Sequence, residues 1–362
     1  MCDYEPEEGC TRKEMPKQQF GDVCSDIRQF VHLVRRAESN SRPIVVAVGS
    51  EGIRIGAEDG ELTVLSCALF DVGTQPPALL CIAVLDVKGL TLMEIGTLGL
   101  AEVLKSKSIL KIFFDCRKAS VALHAQFQVR PHPVFDLQLC DVAVRDDSIK
   151  ERHHRLTSSL HHAVCHRPHL KHGLHHCVKL NSLVSSLAEH NVALPAPLLR
   201  YAEEAKNDQP DLLGTRPLST ATIERAAAKA LLIFALFQNL QQKYQLAKAA
   251  AWKRIPEWSN RYVHFYTVLQ VDVGAPFDSH SFLPLGVLPR TTMIGDGSQC
   301  HEGRKLSVDK ISQQCIGCKR TLGPLADCFD KNSSWCFVCS IIRESNCCRS
   351  KGTKRNRVAD AQ

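Results

Sequence analysis

No stretch of the 362-residue chain approaches 18 consecutive apolar residues, which argues against a transmembrane helix. The first ten residues, MCDYEPEEGC, are acidic and carry no apolar core, so they do not read as a secretory signal. Without an export signal, 17 cysteines point away from a disulfide framework and towards reduced thiols or metal ligands. Neither disorder nor a fibrous repeat fits a composition that is 44% hydrophobic and 23% charged. What is present is enough chain for two ordinary domains, or one domain with appendages. Its net charge of +7 is compatible with an anionic partner.

Residues 1–39 read as an N-terminal extension, with a helix over 26–37 spaced by Ile27, Phe30, Val31 and Val34. Apolar runs at 43–48, 52–56, 61–70 and 78–87, separated by short turns, predict an antiparallel meander. Helix, strand, helix, strand and helix follow at 98–105, 109–114, 119–127, 134–137 and 138–144. A meander followed by this alternation predicts a mixed α/β sheet with flanking helices. Residues 153–176 hold nine of the sixteen histidines and read as a compositional insert, a solvated loop with at most weak affinity for transition metals. Helices are expected at 180–189, 197–205 and 220–248, the last with Ser219 or Thr220 as its cap. Prolines 256, 276, 284 and 289 mark 251–310 as a linker region, and 346–362 is a basic tail. The linker carries cations among aromatics over 252–266. That mixture suits stacking on single strands, but packing on a domain edge is the favoured reading.

Six short segments recur in family order: Glu51-Gly52, Gly60-Glu61-Leu62-Thr63, Ser106 to Lys111, Asp115-Cys116-Arg117, Val134 to Gln138, and Arg216-Pro217-Leu218-Ser219. Through them residues 40–250 resemble the 3′–5′ exonuclease domain of the ribonuclease D and DnaQ type, and most of all its Egalitarian and piRNA-biogenesis branch. The resemblance implies a ribonuclease-H-like fold and, in active members, two divalent metals held by four carboxylates. Mg²⁺ and Mn²⁺ are hard cations that require anionic oxygen ligands. Carried onto this chain, the first motif leaves Gly49 where an Asp belongs and keeps Glu51. Ala119 stands at the second Asp, Lys229 at the third, and Arg225 at the Tyr or His base. Three of four metal carboxylates are therefore replaced, Mg²⁺ and Mn²⁺ are not expected to bind, and the enzymatic status is left uncertain with inactivity favoured. Arg225 and Lys229 lie one helical turn apart on one side. They either bind phosphate, as Arg117 and Lys118 would also do, or pair with Glu51 and fill the site.

Cys315-Ile316-Gly317-Cys318 and Cys336-Phe337-Val338-Cys339 are separated by seventeen residues. Two such knuckles supply four thiolates, so Cys315, Cys318, Cys336 and Cys339 are expected to hold a structural Zn²⁺ in a small module over 311–345. Function then reads as a catalytically degenerate exonuclease-like protein that binds single-stranded nucleic acid, RNA foremost, as an adaptor in RNA processing or small-RNA pathways. It would work with protein partners, away from membranes, in the cytoplasm, its basic tail being compatible with nuclear import. An active metal-dependent exonuclease and a pure protein-interaction scaffold are the competing readings.

Overall fold

Asp26 opens helix α1 (Ile27–Ser39) by accepting from the Arg28 amide, and Ile27, Phe30, Val31 and Val34 turn one stripe into the core. In this computed structural model the described residues are 23–55, 60–145, 149–166, 174, 177–204, 213–267, 281–283, 287–288, 313–317, 321–322 and 334–359. The main sheet is built from β1 (Val23–Cys24), β2 (Ile44–Ile53), β3 (Glu61–Asp71), β4 (Ala78–Asp86), β5 (Leu110–Phe113) and β6 (Val134–Asp136), in the spatial order β1-β4-β3-β2-β5-β6. Strands β2, β3 and β4 form the antiparallel meander. Strands β5 and β6 then add parallel to β2, and β1 lies parallel to β4 on the far edge. This is a mixed sheet with flanking helices, the α/β arrangement that the alternation of elements predicts.

Short helices α2 (Leu92–Thr97) and α3 (Leu100–Lys105) precede β5, α4 (Cys116–Phe127) joins β5 to β6, and α5 (Leu137–Val144) follows. After α6 (Ile149–Thr157), α7 (His162–Cys165), α8 (Leu183–Glu189) and α9 (Ala196–Glu204) comes the long α10 (Thr220–Tyr244), which lies across β2, β3 and β4. Ser219 caps α10 by accepting from the Thr222 amide at 3.2 Å, and the Phe234 ring stacks on Phe70 of β3. Apolar residues on both faces of β3 are buried, so the strand reads as a continuous apolar run.

Three boundaries differ from those expected. The extension ends earlier than residue 39, because β1 pairs with β4 and α1 joins the main core. The region 251–310 is not all linker: α11 (Ala249–Thr267) packs on α4, α5 and β6 with Ile255, Trp258, Ser259, Tyr262 and Val263 buried. A proline inside a helix costs about 3 kcal/mol, and burial of this apolar face offsets what Pro256 removes. Ser259 also fastens the helix to the sheet by accepting from the Asp136 amide at 2.8 Å. The cation-and-aromatic segment is thus a packed edge where it is described.

The histidine-rich segment is likewise more than a solvated loop. Leu156, Leu160 and Val164 recur every four residues and, with Cys165, Leu174 and Cys177, are buried in a second apolar core. Its other members are Phe282 and the cysteine module, including Val338, Ile341 and Ile342 on α12 (Phe337–Ala359). The abundant histidines mask that four-residue apolar period in the sequence. The basic tail continues α12 through Ala359.

One buried cation in the main core has a measurable consequence. Lys111 on β5 is fully buried and donates to the carbonyls of Ser106, at 2.6 Å, and His132. Burial pushes its pKa down to about 7. Between that value and the ordinary lysine value of 10.5 the unfolded chain holds a proton that the folded chain does not, so stability rises with pH across this window. Denaturant midpoints at pH 7 and pH 9.5 should show this rise in the wild type and a smaller one in Lys111→Met. Equal slopes for the two proteins would refute it.

Candidate nucleic-acid and metal sites

Strand β2 is interrupted by a bulge between Glu51 and Gly52, where its pairing with β3 shifts register. A bulge re-aims the side chain beside it, and Glu51 turns towards α10. There it meets both cations that the sequence placed one turn apart. Glu51 Oε2 lies 3.6 Å from Arg225 Nη2, and Glu51 Oε1 lies 3.8 Å from Lys229 Nζ. Lys229 Nζ also donates to the Ser50 carbonyl at 2.7 Å. Both cations therefore pair with Glu51, at long ion-pair distances. The pairing is not saturated: Glu51 Oε2 and Arg225 Nε are buried without a hydrogen bond. The Lys229 side chain keeps 37% of its surface exposed.

Gly49 is brought to the same place. It pairs with Ser66 across β2 and β3. A Cβ at position 49 would lie 2.3 Å from Ser66 Oγ and 3.3 Å from Lys229 Cγ, so these two side chains occupy the space of the missing carboxylate. Ser66 was not singled out in the sequence. A glycine inside a strand signals a close approach, and the meander register would have named its neighbour. Ala119 is buried on α4, where it supplies no polar atom.

The Asp115-Cys116-Arg117 segment is structural rather than exposed to a ligand. Asp115 adopts a left-handed backbone, with φ of 56°, at the turn from β5 into α4. Its carboxylate accepts twice from Arg117, from Nε at 2.5 Å and from Nη2 at 2.7 Å. Arg117 is 1% exposed and lies 5.3 Å from the centre of the Tyr262 ring. This removes Arg117 from the candidate phosphate contacts, because the guanidinium fork is already committed inside the core. Lys118, the next residue, is exposed. Asp136 is fully buried, and burial together with the nearby Asp115 raises its pKa. It accepts from the amides of Cys116 at 2.6 Å and Gln138 at 2.8 Å, tying two helix starts together.

At the other end of the chain Cys315, Cys336 and Cys339 are buried with their sulfurs all within 4.8 Å of one another. The Cys336 amide points at Cys315 Sγ at 3.2 Å. Four thiolates at ~2.3 Å from a tetrahedral zinc stand ~3.8 Å apart, so this donor set fits a metal ion. Cys318 lies outside the described residues. Cys315 follows β7 (Gln313–Gln314), which pairs with β8 (Thr321–Leu322), while Cys336 immediately precedes α12 and Cys339 lies in its first turn.

No protein-family model matches the chain, and no curated protein matches it. Among solved structures it is similar to Trypanosoma brucei RNase D in its GMP complex, at 17% identity over 82% of this chain and 81% of that one, with a TM-score of 0.48. It is similar to the catalytic core of RRP6 from Trypanosoma brucei at 14% identity, over 67% of this chain and 51% of that one, with a TM-score of 0.39. It is also similar to Brucella melitensis NrnC at 18% identity, over 59% of this chain and 82% of that one, with a TM-score of 0.37.

Proposed function

We propose that this chain is a catalytically degenerate 3′–5′ exonuclease-like protein that binds single-stranded nucleic acid, RNA foremost, without hydrolysing it. The observation that carries the reading is the ion-paired cluster Glu51–Arg225–Lys229 on the strand and helix where the sequence motifs put metal carboxylates. A divalent ion about 4 Å from a lysine is repelled by roughly 8 kcal/mol at an effective dielectric of ~20. Glu51 offers little in return, since two cations already compensate it. One anion and two cations leave the cluster with a net positive charge. With Lys229 partly exposed, that charge suits phosphate rather than Mg²⁺ or Mn²⁺.

An adaptor role in RNA processing or small-RNA pathways, with protein partners and in the cytoplasm, follows from the sequence resemblance to the Egalitarian and piRNA-biogenesis branch. The cysteine module would hold a structural Zn²⁺ through Cys315, Cys318, Cys336 and Cys339, since four thiolates leave no open coordination position.

Anisotropy titrations with a single-stranded RNA test the binding. If about four phosphates are contacted, affinity should fall roughly 50-fold between 50 and 200 mM salt. Replacing both Arg225 and Lys229 with Ala should weaken it further and flatten that dependence. Affinity unchanged over this salt range would argue instead for a protein scaffold.

A further inference from the structure

Helix α7 is held in place by groups that do not touch its histidine face. The His161 amide donates to Ser345 Oγ of α12 at 2.7 Å, and His161 Nδ1 accepts from the Ala163 amide at 3.2 Å, fixing the start of the helix. Val164 and Cys165 are buried in the second core. With those residues turned inward, His162 and His166 are exposed and, four residues apart, lie on one side. Their Nε2 atoms are 2.9 Å apart and their ring centres 4.2 Å apart. His153 of α6 presents an exposed ring edge-on to His166, with the centres 5.8 Å apart.

We propose that His162 and His166 form a two-imidazole surface site for one divalent transition-metal ion. The reading does not depend on nucleic-acid binding or on the cysteine module's zinc. Imidazole nitrogens ~2.05 Å from an ion stand ~2.9 Å apart in neighbouring octahedral or square-planar positions and ~3.3 Å apart in a tetrahedron. The observed 2.9 Å separation is that of a hydrogen-bonded pair, and it brings both nitrogens within the reach of one Ni²⁺ or Cu²⁺ ion once the shared proton is displaced. In the ion-free chain one imidazole donates to the other, so the pair is already held at chelating distance.

The test uses tag-free, full-length protein saturated with zinc and titrated calorimetrically with Ni²⁺. The wild type should bind one Ni²⁺ in its tightest class. Replacing His162 and His166 together with Ala should weaken that class at least 10-fold, while His153→Ala on α6 and His32→Ala on α1 should change nothing. Cu²⁺ spectra should show nitrogen hyperfine coupling that the double variant loses. Because all three side chains are exposed, unchanged circular dichroism will confirm that the variants fold. A tightest Ni²⁺ affinity equal to that of the wild type in the double variant overturns the site.

Discussion

Cys336→Ser is expected to abolish zinc retention and to unfold more than the cysteine module. Wild-type protein should carry about one zinc per chain. Zinc in a thiolate site contributes about 10–16 kcal/mol to the folding of small zinc modules, which exceeds what the modest apolar core around these cysteines can supply alone. That core is shared. Cys315, Cys336 and Cys339 pack with Leu156, Leu160, Val164, Leu174 and Phe282, so losing the metal removes one wall of the pocket that buries the histidine-rich segment. The sequence by itself suggests loss of the C-terminal module alone. Hydrogen exchange should instead show protection lost together in 149–166 and 334–348, while β2 to β6 and α10 stay protected. Cys347→Ser, at an exposed position, should retain zinc and protection. Purified native protein without zinc, or a Cys336→Ser protein protected like the wild type over 149–166, would sink the prediction.

A second large effect is expected at the Glu51–Arg225–Lys229 cluster, if the proposed degenerate reading of it holds. Wild-type protein should release no nucleotide from single-stranded RNA with Mg²⁺ or Mn²⁺. Lys229→Asp alone should not change that, because positions 49 and 119 still supply no ligand. Restoring Asp at 49, 119 and 229 gives, with Glu51, the four carboxylates that the resemblance implies, but the Ser66 hydroxyl stands 2.3 Å from where the Cβ of residue 49 must go. The expectation is therefore that Gly49→Asp, Ala119→Asp and Lys229→Asp bind Mn²⁺ poorly until Ser66→Ala is added. With all four changes, Mn²⁺ at about 100 times its Kd should stabilise the fold by about 2.7 kcal/mol, read as a thermal shift absent from the wild type. Arg225 still stands where a Tyr or His base is needed, so hydrolysis should remain absent in this variant. If wild-type protein shortens RNA from its 3′ end and Glu51→Gln abolishes this, the degenerate reading is wrong.

Elements with a strong local code were legible from residue spacing. The meander, the alternation after it and the Ser219 cap of α10 all rest on signals a few residues long. Element ends moved by a few residues. The histidine-rich segment has the composition of a loop, and the spacing of Leu156, Leu160 and Val164 matters only when a partner surface is present to bury it. Pro256 similarly suggested a break, yet the burial of Trp258 and Tyr262 against α4 and β6 keeps α11 helical.

The sequence alone determined that Gly49, Ala119 and Lys229 offer no oxygen ligand: no folding of the chain places one on their side chains. It also determined which cysteines come in knuckles, because the two-residue spacing within each pair is local. Only the tertiary structure decided where the cations go. Arg225 and Lys229 lie more than 170 residues from Glu51, and whether they reach phosphate or the carboxylate depends on the bulge in β2 and on how α10 lies across the sheet. The same holds for Arg117, which the left-handed turn at Asp115 folds back into the core. It holds too for Ser66, set opposite Gly49 by strand register. Short-range periodicity and capping are written in neighbouring residues. Pairings between distant residues are set by register and packing, which come into being only when the layers assemble.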